Sequence, residues 1–134
     1  MSTSSLKDSL TSLYSAKNIE IGRAEAGYLY CDWIGYQNKE SIMKTGDVIL
    51  DLVKKNKVTH VLNDNTRVSG PWQEASQWTA DVWFPNMFQA GLQKFAWVLS
   101  PNIFAELSAK QAMPNTESVK AFGNLEEARN WLVA

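Results

Sequence analysis

Several classes of function are excluded by what this chain lacks. It has one cysteine, Cys31, so no disulfide can close within it, and one histidine, His60. One of each cannot supply the four ligands of a structural zinc site. Neither charge sign is in excess: 13 Lys+Arg stand against 14 Asp+Glu, a net charge of −1, which argues against a broad basic face for nucleic acid. No apolar run approaches the roughly 20 residues of a membrane span. Met1–Ser5 is polar, lacks the apolar stretch of a secretory signal, and reads as a frayed tail. There is no internal repeat and no linker. No Walker A loop and no Gly-x-Gly-x-x-Gly run points to a nucleotide, and no feature calls for a metal or other cofactor.

Within those limits, 134 residues with 45% apolar content fit one domain over residues 1–134 with its own core. At this size folding buries about two-thirds of the unfolded surface, enough to hold without staples. The lone cysteine fits a reducing compartment, and the expected location is cytoplasmic.

Hydrophobic period sets the element order. Leu6 to Ser15 reads either as a helical turn or as an edge strand. Asn18 to Ala24 alternates through Ile19 and Ile21, Gly27 supplies a turn, and Tyr28 to Ile34 forms the partner strand of a hairpin. Asn38 caps a helix to about Asn56, with Ile42, Gly46, Ile49 and Val53 as its apolar stripe. Gly46 is expected to permit close approach to a strand, and Lys54, Lys55 and Lys57 complement the helix dipole. Val58 to Leu62 reads as a short buried strand broken by Asn63-Asp64-Asn65-Thr66. Gly70-Pro71 then opens a helix that is disturbed at Pro85 and ended by Gly91. Lys94 to Leu99 is a further buried strand. Ser100-Pro101 opens a helix with Ile103 and Leu107 inward. Glu117 to Phe122 is a weaker strand, and Asn124 caps a closing helix. The sum is an α/β domain: a mixed, mostly parallel sheet with an opening antiparallel hairpin and about four helices.

Two segments carry the functional expectations. The first is the loop after the third strand. Ligands of open α/β sheets sit beyond the carboxyl ends of strands, and helix N-termini attract anions. Asp64, Asn65, Thr66, Arg67 and Ser69 are therefore candidate regulatory or ligand residues. The alternative is that they satisfy turn and cap hydrogen bonds. The second is the following helix, whose aromatics exceed one stripe. Trp78 and Val82 are assigned to the core. Trp72, Trp83, Phe84 and Phe88 are candidates for an accessible surface, a dimer contact or a pocket wall. Cys31, mid-strand among aromatics, is expected to be buried and unreactive. His60 lies in a buried strand with no serine fixed beside it, so a catalytic triad is not supported.

The element order, with Trp33-Ile34-Gly35-Tyr36, Val61-Leu62-Asn63-Asp64-Asn65, Trp83-Phe84-Pro85 and Ala90-Gly91-Leu92-Gln93-Lys94-Phe95-Ala96, resembles the STAS-like superfamily. These are small α/β domains related to anti-sigma-factor antagonists, and the likeness is to an uncharacterised bacterial branch. The resemblance implies a cytoplasmic, non-catalytic regulator working by protein–protein contact. In the best-known members a serine opening the second main helix is phosphorylated. Ser69 before Gly70 stands there, expected at or beside that helix's N-cap, although Val68 replaces the acidic residue of the pattern. The expected function is an interaction module using the Asn63–Ser69 loop and the aromatic helix, with a protein partner or a second copy. The alternative is a carrier or sensor of a small apolar or lipid-like ligand held between that helix and the sheet.

Overall fold

Six strands hydrogen-bond in the order in which they occur along the chain: β1 (Leu10–Ala16), β2 (Ile19–Ala24), β3 (Leu29–Gly35), β4 (His60–Val68), β5 (Lys94–Val98) and β6 (Val119–Phe122). This computed structural model describes residues 6–134, and the tail assigned to Met1–Ser5 lies outside the described residues. The first two pairings are antiparallel and the last three parallel. The opening is therefore a three-stranded meander, and Leu10–Ala16 resolves as an edge strand with an irregularity between Ser12 and Tyr14. Edge strands carry such bulges because they twist an open edge away from intermolecular pairing. Gly27, at φ +103, turns the chain into β3.

Helix α1 (Lys39–Asn56) begins as expected. Asn38 accepts from Ser41 N and the Ser41 hydroxyl answers the Asn38 N–H, a capping box. It buries Ile42, Thr45, Gly46, Ile49 and Val53. Gly46 meets a different neighbour from the strand expected: a Cβ there would lie 2.9 Å from the Trp78 ring and 3.0 Å from Trp83 Nε1. The missing side chain makes room for tryptophans.

The second helical stretch, α2, is composite. A 3-10 turn (Gln73–Ala75) leads into an α turn (Ser76–Trp78), a π turn (Thr79–Trp83) and an α segment (Phe84–Gln89). Pro85 accounts for the π turn. It has no N–H and its ring would strike the carbonyl four residues back. Widening the ladder, with Phe84 N bonding Thr79 O, removes that conflict just ahead of it. The helix starts later than expected. Its N-cap is Trp72, with no side-chain cap, while exposed Ser69 and Pro71 lie in the connection before it.

Helix α3 (Ile103–Ala112) is capped by Asn102, whose side chain accepts from Phe104 N and Ala105 N. Its orientation reverses the expectation. Ala105, Ser108, Ala109 and Ala112 face inward, while Ile103 and Leu107 are 62% and 48% exposed. Close approach explains it. Trp72 N donates to Ser108 Oγ at 2.9 Å and Ser76 Oγ donates to Ser108 O at 2.8 Å, and only small side chains let two backbones come so near. Helix α4 (Leu125–Val133) lies on the opposite face of the sheet with Ala128 and Leu132 buried.

Strand alternation sorts the interior into two cores. Leu29, Cys31 and Trp33 of β3 and Phe95 and Trp97 of β5 meet α1, α2 and α3. Tyr30, Leu62, Ala96 and Val98 meet α4. No helix among the described residues is long and apolar enough to cross a membrane.

Candidate ligand cavity

β4 does not stop at Leu62. Asn63 to Val68, expected as a loop, continues the strand, with Cys31, Asp32, Ile34 and Gly35 paired to Asn63, Asp64, Arg67 and Val68. Polar residues are poor strand formers by themselves, but here each finds a partner fixed by the fold. Trp33 Nε1 donates to Asn63 Oδ1 at 2.8 Å. Tyr30 Oη donates to Asp64 Oδ2 at 2.6 Å, and the Thr66 hydroxyl also donates to Asp64. Arg67 Nη2 donates to Asp32 Oδ2 at 2.7 Å.

β4 alternates as far as Thr66, and a register irregularity between the Asp32–Asp64 and Ile34–Arg67 pairs puts Arg67 on the same face as Thr66, so the sheet divides the five candidate residues. Asn65 faces α1 and α2. Asp64, Thr66 and Arg67 join Tyr30 and Asp32 on the opposite face. Ser69 lies beyond the strand, its N–H on Gly35 O at 3.2 Å. They are not one site. In the second-face group, burial pushes the Asp32 carboxyl above its usual range, the Asp64 charge reinforces this, and the Arg67 guanidinium opposes it. Burial and the neighbouring Asp64 push the Tyr30 phenol well above its ordinary value. Every polar group named there is bonded within the cluster, which makes it an internal brace of the sheet.

The aromatic helix also departs from expectation. Trp72, Trp83 and Phe84 are buried, Phe88 is half-buried, Trp78 is half-buried against the core and Val82 is exposed. The π turn changes the angular spacing ahead of Pro85, so a regular helical wheel misassigns Val82. Phe84 sits among Trp83, Phe95 and Trp97 with ring centroids 5.0, 4.9 and 5.9 Å away. Of the four candidates, Trp72 and Trp83 form a cavity wall, the pocket-wall alternative, while Phe84 and Phe88 pack in the core.

The tryptophans among them line a small, mostly apolar cavity. It lies between the sheet and α1 and α2, lined by Trp33, Trp72, Trp78, Trp83 and Trp97, five of the chain's six tryptophans, with Phe95, Ile42 and Val68. Gln37, Asn63, Asn65 and Thr79 contribute the polar lining, and Gly46 leaves the room. Its volume is about 40 Å³. Trp78 is the lining residue that meets solvent; the others are buried.

Most polar groups in the wall are already engaged. Trp83 Nε1 donates to Gly46 O at 2.8 Å, Thr79 Oγ1 to Ala75 O, and Gln37 Nε2 to Ile34 O. Trp97 differs: its Nε1 is buried with no hydrogen-bond partner among the described residues. A buried donor left unpaired costs about 1–3 kcal/mol. Trp72 stacks on Trp97 at 6.2 Å and 21°.

No lining residue is acidic, basic or a histidine. The wall is mostly apolar with a few hydrogen-bonding groups, and it holds no acid–base pair. His60 is near the other end of β4, its Nδ1 2.8 Å from Thr59 Oγ1, with burial and then Lys94 lowering its pKa. Cys31 is wholly buried and burial pushes its thiol far up. Trp33 and Trp97 are absent from the sequence-based candidates, and Asn63 enters them only as the start of the Asn63–Ser69 loop. The available signal was alternation: Cys31/Trp33 and Phe95/Trp97 each place two residues on one face.

The architecture, an antiparallel meander continued by parallel strands with helices on both faces, is the SpoIIAA-like, STAS-like α/β fold. The chain is similar to an uncharacterised protein of the DUF3478 family from Shewanella loihica PV-4 described as having a SpoIIAA-like fold, with 19% identity and a TM-score of 0.54 over 90% of this chain and 98% of that one. No protein-family model matches the sequence. No curated protein matches it.

Proposed function

We propose that residues 1–134 act as one non-catalytic STAS-like domain that senses a small apolar ligand held between α2 and the sheet. The observation that carries this reading is the cavity walled by five tryptophans. The aromatics of α2 turn inward to that space, so a flat aromatic docking face on α2 is not what they build. Native mass spectrometry of the purified protein tests the reading. A small molecule released on denaturation, whose return raises the melting temperature, supports it. Protein of bare mass, unshifted by a panel of uncharged aromatic compounds, removes it.

A second reading, a cytoplasmic regulatory module acting through a protein partner or a second copy, is favoured by a different surface. Ile103, Phe104 and Leu107 are exposed together on α3, and Ser108 ties α3 to Trp72 and Ser76 beside the cavity. Exposed Thr66 and Ser69 are its candidate phosphorylation positions. Sedimentation analysis of the Leu107→Glu variant tests it: self-association present in the parent and lost in the variant supports the second copy.

A further inference from the structure

We infer that the indole of Trp78 is a lid standing in the ligand's place, and that the ligand is an uncharged planar aromatic of one or two fused rings that binds by displacing it. This inference rests on the ligand-sensing reading and specifies the ligand and its entry. At about 40 Å³ the cavity is little larger than the roughly 30 Å³ that one water occupies in the liquid, so an aromatic ring needs part of the wall to move. One lining residue has space to move into. Trp78 is half-buried, while the other lining residues are buried. Trp33 and Trp83 are tied through their indole N–H groups to Asn63 Oδ1 and Gly46 O. The Trp78 ring rests on Gly46, where a Cβ would lie 2.9 Å from Trp78 Cη2.

The backbone beneath the ring is anchored, so opening is a side-chain rotation. Ser76 Oγ donates to Ser108 O at 2.8 Å and Thr79 Oγ1 donates to Ala75 O at 2.9 Å, one on each side of Trp78. Turning the ring to solvent vacates a slot shaped by an indole and floored by Gly46. The molecule that fits it is therefore flat and no larger than the ring that leaves. The cavity wall carries no ionic side chain, so a charged ligand would lose its hydration with nothing in the wall to replace it. The closed form is the major one, and the apparent affinity is reduced by the fraction of molecules that are open.

Free indole is the probe. The full chain, labelled with 15N, is titrated with unlabelled indole while the Nε1–H signals of its tryptophans are followed in the presence of a soluble paramagnetic agent. Trp78→Phe identifies the Trp78 signal. Indole is expected to bind the parent with saturation, and the agent should then broaden the Trp78 signal more strongly while the other cavity tryptophans stay protected. Trp78→Ala, which leaves the slot open, should bind indole about tenfold or more tightly than the parent, because a minor open state holds about 10% of the molecules or fewer. Trp131→Ala, which truncates the half-buried tryptophan outside the cavity, should bind as the parent does. If Trp78→Ala does not fold, the broadening in the parent still decides. Saturable binding to the parent with Trp78 no more accessible, or with Trp78→Ala no tighter, overturns the lid and leaves the ligand-sensing reading standing. Binding to Trp78→Ala alone shows the ring to be a fixed wall and overturns the lid. Binding to neither protein removes both readings.

Discussion

Replacing Phe84 with alanine empties the most enclosed aromatic position of α2. The side chain has no solvent exposure and packs on Trp83, Phe95, Trp97 and Phe88 with centroids 4.9–6.0 Å away. Transfer of a phenylalanine side chain from water is worth about 1.5–3 kcal/mol. Neighbours held on β5 and in the π turn cannot collapse fully into the space, so a cavity term is added, and the total comes to about 3–5 kcal/mol. With a urea dependence of about 2 kcal/mol per molar, the midpoint should fall by about 2 M at unchanged slope. Val82→Ala, two residues earlier but exposed, should stay within about 0.5 kcal/mol. Trp78→Ala should fall between them, because its ring is half in solvent. Urea unfolding followed by far-UV circular dichroism measures all three. A Phe84→Ala loss below about 1 kcal/mol, accompanied by weakened self-association, would refute this reasoning and return Phe84 to an interface.

Three further outcomes are expected. The guanidinium of Arg129, hydrogen-bonded to Asp8, holds that carboxyl below its usual range, against the effect of burial and with help from Tyr28. Its stability contribution is present above the unfolded value near 3.9 and lost as pH falls through the depressed native value. Asp8→Asn should lower the denaturation midpoint at neutral pH and converge with the parent in acid. Asp32 has the opposite sign: burial raises its carboxyl, the native state holds the proton more tightly, and stability declines as pH rises from the usual carboxylate range through the native value. Asp32→Asn, which can still accept from Arg67, should flatten that decline in midpoints taken between pH 4 and 8. Cys31 should react with a thiol reagent only at the rate of global opening, since it is wholly buried; rapid labelling without denaturant would contradict its placement.

Much of the architecture was written in local pattern. The period-2 alternation of Ile19 and Ile21, the 3.6-residue stripe of α1, its Asn38 cap and the turn at Gly27 each depend on neighbours in sequence, so the sequence by itself determined them and, through them, the α/β class. Three features were decided by contacts far apart along the chain. Asn63 to Val68 is a strand because Trp33, Tyr30 and Asp32 wait on β3 with the partners those polar side chains need. The apolar Ile103 and Leu107 turn outward because Ser108 must approach Trp72 and Ser76. Trp83 and Phe84 turn inward at a π turn ahead of Pro85, Gly46 on another helix leaves room for the Trp83 ring, and Trp72 is held where its N–H meets Ser108 of α3. The cavity belongs to this second group. The sequence showed six tryptophans but not that five would converge, since convergence requires β3, β5, α1 and α2 to be brought to one side of the sheet, and that is a property of the packing.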